Sequence, residues 1–500
     1  MPSYILGTIK MCLCLFSIME INRSLVIKSL LWKFIERTGT QIVGFVVSII
    51  LARLLLPEQY GLIALIMIFI NMCNVIIDGG LNTALVQKKN ADNIDFSTIF
   101  YSSLFISILL YLGLYLSAPS IAEFYNETIF VKVIRILGLN LIFYALNSVQ
   151  RAYVSKHMLF NKLFYSSFVA VSLSGIIGIT LAYNGYGVWA LVGQNLSCAI
   201  FTCLVMLITI KWRPLFVFSY QRFNKLFSYG WKIFISNLTT VIFVEIRKLL
   251  IGKMYAPSEL AYYEKGEQFP GLVMSNIFIS IQAILLPTFS QYQEDKSKVK
   301  LLMRKFTKIS CFVIYPLMVG LVVTAEPLVL LLLGYKWQVV IKFIQIMCIA
   351  NFFKPITLSN LEAIKALGYS GITLKLEIIK KIVDITILLI SIKLSVFAVA
   401  WGMVLFNFCC VFINLAPNVK LLNYKIREQI RDAVPTFLIS ILMGVIIYPV
   451  RFADIPYFAL LMAQIFLGVI VYIVLCRVFK EESFMYLLSI VREKYKKSFT

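Results

Sequence analysis

Histidine occurs once in the 500 residues, at His157 in a basic stretch. A metal site needs several imidazole or thiolate ligands at fixed spacings, and the ten cysteines do not supply them. No Cys-x-x-Cys pair exists. Cys12 and Cys14 lie in an apolar N-terminal run, and Cys73, Cys198, Cys203, Cys311, Cys348, Cys409 and Cys410 stand singly or adjacent inside apolar segments. They read as small apolar side chains facing lipid or core, so no metal and no cofactor is expected. Charge is scarce too: 14% of residues are Asp, Glu, Lys or Arg, against 60% hydrophobic, with a mean hydropathy of +0.87. A soluble protein of this length could not hide so much apolar surface. Nucleotide-binding motifs and nucleophile–base sets are also missing, which argues against an enzyme.

What is present is apolar length. Runs of about 20 residues, enough to cross hydrocarbon, recur almost end to end. The class is an all-α polytopic membrane protein, because a transmembrane barrel would need short alternating strands with a polar lumen face. Spans are expected at 29–54, 61–81, 97–118, 131–153, 164–184, 187–210, 230–254, 270–290, 306–325, 339–366, 374–393, 395–418, 433–450 and 456–477, about 14 transmembrane helices.

Lys and Arg outnumber Asp and Glu 47 to 24, for a formal charge of +23. In a soluble chain that excess would suggest nucleic acid. Here it sorts by side, and no nucleic acid is expected. Even-numbered connections carry Lys88 and Lys89, then Lys156, His157 and Lys162, then Lys211 to Lys225, Lys296 to Lys305, and Lys420 to Arg431. Odd-numbered connections are neutral or acidic, with Glu58, Glu123, Glu127, Glu259, Glu264, Glu267 and Glu326. Cations collect in cytoplasmic loops against anionic lipid, so both termini are expected in the cytoplasm. No outer connection exceeds roughly 20 residues, ordinary loop scale and too little for the extracytoplasmic domain of a glycan polymerase or ligase.

Two stretches 200 positions apart repeat each other. Leu31-Trp32-Lys33 opens one apolar segment and Gly230-Trp231-Lys232 the other. At the closing ends Ala52 matches Gly252, Arg53 matches Lys253, Pro57 matches Pro257 and Gly61 matches Ala261. A weaker echo links Gly185 to Gly193 with Ser395 to Gly402. Recurrence at this scale indicates duplicated membrane halves. The division is a dubious N-terminal extension 1–22, a six-helix lobe 23–210, a basic cytoplasmic linker 211–229, a second six-helix lobe 230–418, an extra helix pair 419–478 and an amphipathic cytoplasmic tail 479–500. With six spans each, the lobes enter the membrane in the same orientation and should be related by a pseudo-twofold axis along its normal. The extension reads either as an interfacial segment or as an over-extended start, with Met19 the true one.

Charges inside spans are expensive and therefore functional candidates. Lys33, Arg37, Thr40, Gln41, Gly44 and Ser48 share one helical face in the first span, a polar stripe suited to a wet cavity, with Glu36 beside it. In the seventh span Glu245 and Lys248 share a face and can pair, with Arg247 adjoining. Lys354 stands beside the helix-breaking Pro355, and Asp384 follows Lys380 and Lys381 at ion-pair spacing. Arg151, ending the fourth span, is expected on the cytoplasmic side. Such cations, with guanidinium forks among them, suit a diphosphate that must leave water.

The stretches Leu31 to Gln41, Leu51 to Leu62 and Asp78 to Lys89 resemble the bacterial polysaccharide flippases of the multidrug/oligosaccharidyl-lipid/polysaccharide exporter superfamily, in particular its O-antigen, teichuronic-acid and colanic-acid repeat-unit exporters. The resemblance covers most of residues 25–480. It implies two six-helix lobes around a central cavity with a final helix pair, in the bacterial plasma (inner) membrane. It implies movement of an undecaprenyl-diphosphate-linked glycan from the inner to the outer leaflet by alternating access, for cell-surface polysaccharide such as lipopolysaccharide. The polysaccharide polymerase and other assembly proteins would be partners. Arg37 best matches the family's cationic cavity. Lys33, Gln41, Arg247, Lys248 and Lys354 complete the candidate substrate-binding set, Glu245 and Lys248 are the candidate ion pair, and Pro57 and Pro257 are the candidate ends of equivalent gate helices. The alternatives are a drug/cation antiporter or a peptidoglycan-precursor flippase of the same superfamily; an antiporter would want an acidic site, whereas the buried charges are mostly cationic or paired.

Overall fold

The computed structural model describes residues 23–489; the extension 1–22 and the end of the tail, 490–500, lie outside the described residues. No strand occurs among the described residues, and the helices follow one another with short connections. They are α1 Arg23–Leu54, α2 Pro57–Asp78, α3 Leu81–Gln87, α4 Asn93–Tyr125, α5 Ile129–Leu137, α6 Asn140–Lys156, α7 Phe160–Tyr183, α8 Val188–Thr209, α9 Tyr220–Met254, α10 Pro257–Gln291, α11 Lys296–Leu332, α12 Val340–Asn351, α13 Lys354–Ala366, α14 Ser370–Ser391, α15 Val396–Leu421, α16 Ile426–Ile447 and α17 Tyr457–Val478. Each expected span has its helix, with the fourth divided into α5 and α6 and the tenth into α12 and α13. Several helices run longer than expected, as α4 and α11 do, because polar ends continue the helix past the apolar run. Eleven spans among the described residues are long and apolar enough to cross a membrane. The chain is a multi-pass membrane protein. α9, α10 and α14 fall outside that set; α9 carries Glu245, Arg247 and Lys248, and α14 carries Glu377, Lys380, Lys381 and Asp384.

Local chemistry sets the helix ends. Pro57 and Pro257 occupy the first turn of α2 and α10, where a missing N–H costs nothing. Asp92 caps α4: its side chain accepts from the Asp95 N–H at 3.0 Å, and Asp95 reaches back to the Asp92 N–H at 3.1 Å. Ser395 caps α15, accepting from the Ala398 N–H at 3.0 Å. The break between α12 and α13 falls beside Pro355, which has no N–H to give. The α5–α6 break has no proline. There the backbone tightens to three-residue hydrogen bonds, Leu141 to Gly138 at 3.0 Å and Ile142 to Leu139 at 3.1 Å.

Contacts divide the chain into two compact units, residues 1–261 and 262–500. In the first, α7 packs on α1 and α8, and α9 packs on α2, α3 and α4. The boundary thus falls later than the linker 211–229 expected between the lobes. The linker itself is docked. Trp212 is buried among Phe96, Phe100 and Tyr153, the Leu215 N–H donates to Ser97 at 2.9 Å, and the Ser219 N–H donates to Thr98 at 3.3 Å. Lys88 meets the fully buried Asp95 at 2.6 Å, and Arg222 reaches Asp95 at 3.3 Å while also pairing with Asp92. The guanidinium of Arg222 beside Asp92 holds that carboxyl at about 2, below the ordinary carboxylate range. A carboxyl depressed on folding stabilises above its unfolded value, about 3.9, and the contribution is lost as pH falls toward the folded one. Protection factors for the Leu215 and Ser219 amides are therefore expected to fall between about pH 4 and pH 2. Unchanged protection across that window would show that the pair does not hold the linker. The effect should be modest, since Asp92 is half exposed.

In the second unit α11 packs against α12, α13, α16 and α17, and α15 packs against α12, α13 and α14. Val319, Ile439, Met443, Ile447 and Tyr472 form a core that joins the final helix pair to α11, and the Tyr472 hydroxyl donates to the Phe312 carbonyl at 2.9 Å. Residues 482–489 of the tail are helical.

Candidate functional site

Beside the polar stripe of α1, Glu36 meets a charge from α6. Thr40 turns its hydroxyl onto its own backbone, donating to the Glu36 carbonyl at 2.6 Å. Glu36 is reached by Ser167 of α7, and its charged neighbours are Arg151 of α6, Lys33 and Arg37. Lys33 is exposed, with its ammonium 5.3 Å from the centre of the Phe160 ring. Arg37 and Gln41 are half-buried. At the end of α2, Asp78 accepts from the Tyr144 hydroxyl at 2.9 Å and from the Asn82 amide, and Arg151 is again its charged neighbour. Three cations thus act on two carboxylates drawn from α1 and α2. Expected only as a residue of the cytoplasmic side, Arg151 acts on both acids.

Glu245, 6% exposed on α9, lies 3.7 Å from Lys248 and accepts from Asn71 of α2 at 3.2 Å. Arg247 is half-buried one position from that pair's face. Pro57 and Pro257, expected as the ends of gate helices, instead open α2 and α10 in the first unit, since a proline's missing N–H is tolerated in a first turn. The α-carbon of Gly61, one turn into α2, points at the Pro257 carbonyl so closely that a Cβ there would overlap it. Nothing but glycine fits that approach.

The second unit holds its own charges. Lys354, half-buried at the start of α13, has Glu267 of α10 as its charged neighbour. Glu362, 1% exposed, pairs with Lys365 at 2.8 Å and accepts from Gln282 at 3.2 Å. Lys380 pairs with Glu377 at 2.5 Å. Asn360 donates to Gln429 and accepts from Asn418, each at 2.8 Å, a buried amide chain across α13, α15 and α16. Sequence reasoning missed Asp78, Tyr144, Asn71, Gln282 and the amide chain as site residues. The Asp78-Gly79-Gly80 run was a signal for the first; the others show only when helices distant in sequence cross. Among the described residues no three His, Cys, Asp or Glu side chains gather as a metal site would require.

A profile of the family described as "Polysaccharide biosynthesis protein" matches residues 50–342. The chain belongs to that family. Among family relatives, the succinoglycan biosynthesis transport protein ExoT of Rhizobium meliloti (strain 1021) is 26% identical over 317 residues, which are 63% of this chain and 64% of ExoT. The match thus spans slightly less than two thirds of ExoT. The lipopolysaccharide biosynthesis protein WzxC of Escherichia coli (strain K12) is 20% identical over 419 residues, 81% of this chain and 84% of WzxC. The teichuronic acid biosynthesis protein TuaB of Bacillus subtilis (strain 168) is 22% identical over 388 residues, 75% of this chain and 78% of TuaB. Of solved structures, the lipid II flippase MurJ in an inward closed conformation matches with TM-score 0.71 at 18% identity, covering 89% of this chain and 98% of MurJ. An inward-facing multidrug resistance MATE family transporter of the MOP superfamily matches with TM-score 0.61 at 14% identity, covering 78% of this chain and 98% of that one. This polysaccharide biosynthesis family member shares the fold of those two solved structures.

Proposed function

We propose that the protein is a flippase that carries undecaprenyl-diphosphate-linked oligosaccharide repeat units from the inner to the outer leaflet of the bacterial plasma membrane, by alternating access, for cell-surface polysaccharide. The observation that carries this reading is the cluster of Lys33, Arg37 and Arg151 around Glu36 and Asp78. A diphosphate leaving water needs several cations, and acids that neutralise them in its absence keep an empty site from costing too much. Arg37 and Arg151 then exchange carboxylate for phosphate partners, the glycan occupies the polar stripe, and the prenyl tail stays in lipid. The repeat-related lobes rock about the close contact at Gly61 and Pro257, with both termini cytoplasmic.

Deleting the gene in its host should trap complete prenyl-diphosphate-linked repeat units in the inner leaflet, measured by leaflet accessibility. Normal glycan lipids with altered drug or ion tolerance would overturn the reading in favour of antiport. In the same strain Arg37→Ala should restore export at least about tenfold less well than Arg37→Lys, since loss of a charge contact to phosphate costs more than loss of the fork alone. Equal, wild-type export from both variants would remove Arg37 from the site.

A further inference from the structure

A crevice of about 880 Å³ opens in the second unit between α11, α16 and the turn after α17. One wall is charged, and its acids are occupied from within the protein. Asp432 takes two bonds from Arg304 at 2.7 and 2.8 Å, the Lys308 ammonium at 3.3 Å and the Tyr424 hydroxyl at 2.5 Å. Glu428 pairs with Lys300 at 2.9 Å and Glu482 with Lys308. Glu481 accepts from Thr436 at 3.1 Å and from the Phe484 N–H at 2.7 Å. Arg431 and Lys480 line the same crevice, both exposed, and neither joins an ion pair among the described residues. Lys480 sits at φ 48, in the left-handed turn that ends α17. The other wall is apolar and open: Leu438, Leu442 and Phe479 are 58%, 39% and 58% exposed.

Two uncommitted cations at one end and an open apolar wall at the other match an amphiphile with a singly charged head. We propose that this crevice binds an anionic phospholipid of the cytoplasmic leaflet, its phosphate held by Arg431 and Lys480 and an acyl chain lying along Leu438 and Leu442. The leaflet follows from the basic connection Lys420 to Arg431, at the cytoplasmic end of α16 in the expected topology. A prenyl diphosphate fits less well, because its additional negative charge would face Glu428, Glu481 and Glu482 with only two cations to offset it. The site is separate from the α1–α2 charge cluster, so its bound lipid would brace the final helix pair against α11 rather than serve as cargo.

The test uses the full chain, purified and delipidated, with retention of added phosphatidylglycerol, phosphatidylethanolamine and undecaprenyl diphosphate followed by native mass spectrometry. Phosphatidylglycerol should be retained in preference to phosphatidylethanolamine, and the Arg431→Gln/Lys480→Gln double variant should bind it about thirtyfold more weakly, with Arg431→Lys/Lys480→Arg close to wild type. Unchanged phosphatidylglycerol binding in the double glutamine variant, equal retention of the zwitterionic lipid, or displacement by undecaprenyl diphosphate would each overturn the proposal. Should that variant not remain monodisperse, a fluorophore on Leu438→Cys gives a second reading. Spin-labelled phosphatidylglycerol should quench it more strongly than spin-labelled phosphatidylcholine, and equal quenching would overturn the assignment.

Discussion

Gly61→Val is expected to reduce export to background and to lower the amount of folded protein sharply. A Cβ at position 61 would lie within the Pro257 carbonyl, so the two backbones would have to separate, and valine adds two further methyl groups. Backbone cannot yield as a flexible side chain can. The cost should therefore reach or exceed the upper end of the overpacking range, about 3 kcal/mol. Gly113→Val is the matched control, since nothing lies within 4 Å of a Cβ there. Folded yield by size-exclusion chromatography and export in the deletion strain would be compared for the two. If Gly61→Val folds and exports as well as Gly113→Val, the close approach of α2 and α10 does not exist in the working protein.

The second large effect is expected at Asp95. Its side chain is fully buried, while Lys88 and Arg222, which it receives, remain 38% and 33% exposed. Asp95→Leu removes the acid that gathers them, and with it the tie between α4 and the linker before α9. Breaking a buried pair by deleting one partner costs roughly 3–5 kcal/mol, and the partial exposure of both cations places this site near the lower figure. Much of the loss should be local. Trypsin should cut at Lys211 or Arg222 while the helices remain intact, because a strap that loses its anchor opens before the core does. Asp92→Ala, at the half-exposed end of the same group, should have the smaller effect. A linker equally protease-resistant in Asp95→Leu and wild type would mean that Trp212 and the Ser97 and Thr98 bonds hold it alone.

Much of the architecture was legible in the sequence because membrane helices are written locally, in apolar runs and in the residues that end them. Pro57, Pro257 and Pro355 mark breaks without reference to anything distant, although Pro57 and Pro257, expected at helix ends, open the helices that follow. The α5–α6 break was not legible: Gly138-Leu139-Asn140 continues an apolar run, and only the shortened hydrogen bonds reveal it. The same distinction governs the site. Glu245 and Lys248 are neighbours by helical spacing alone, whereas the contacts of Glu245 with Asn71 and of Asp78 with Tyr144 depend on how α2 crosses α9 and α6. The linker's basic residues were readable as charge but not as a docked strap, since Asp95 and Trp212 acquire their meaning only when packed together. Gly61 was readable as a small residue matched by Ala261, yet no sequence pattern states that a carbonyl lies against it.

In the repeat expected from the sequence the fourth and tenth spans occupy the same place, and both are interrupted, α5–α6 by tightened backbone and α12–α13 beside a proline. Different residues have kept the same joint. On that expected duplication, a position that survives the replacement of its own cause is retained for its mechanical effect rather than for any one side chain, and the joint would belong to the doubled unit and not to either half.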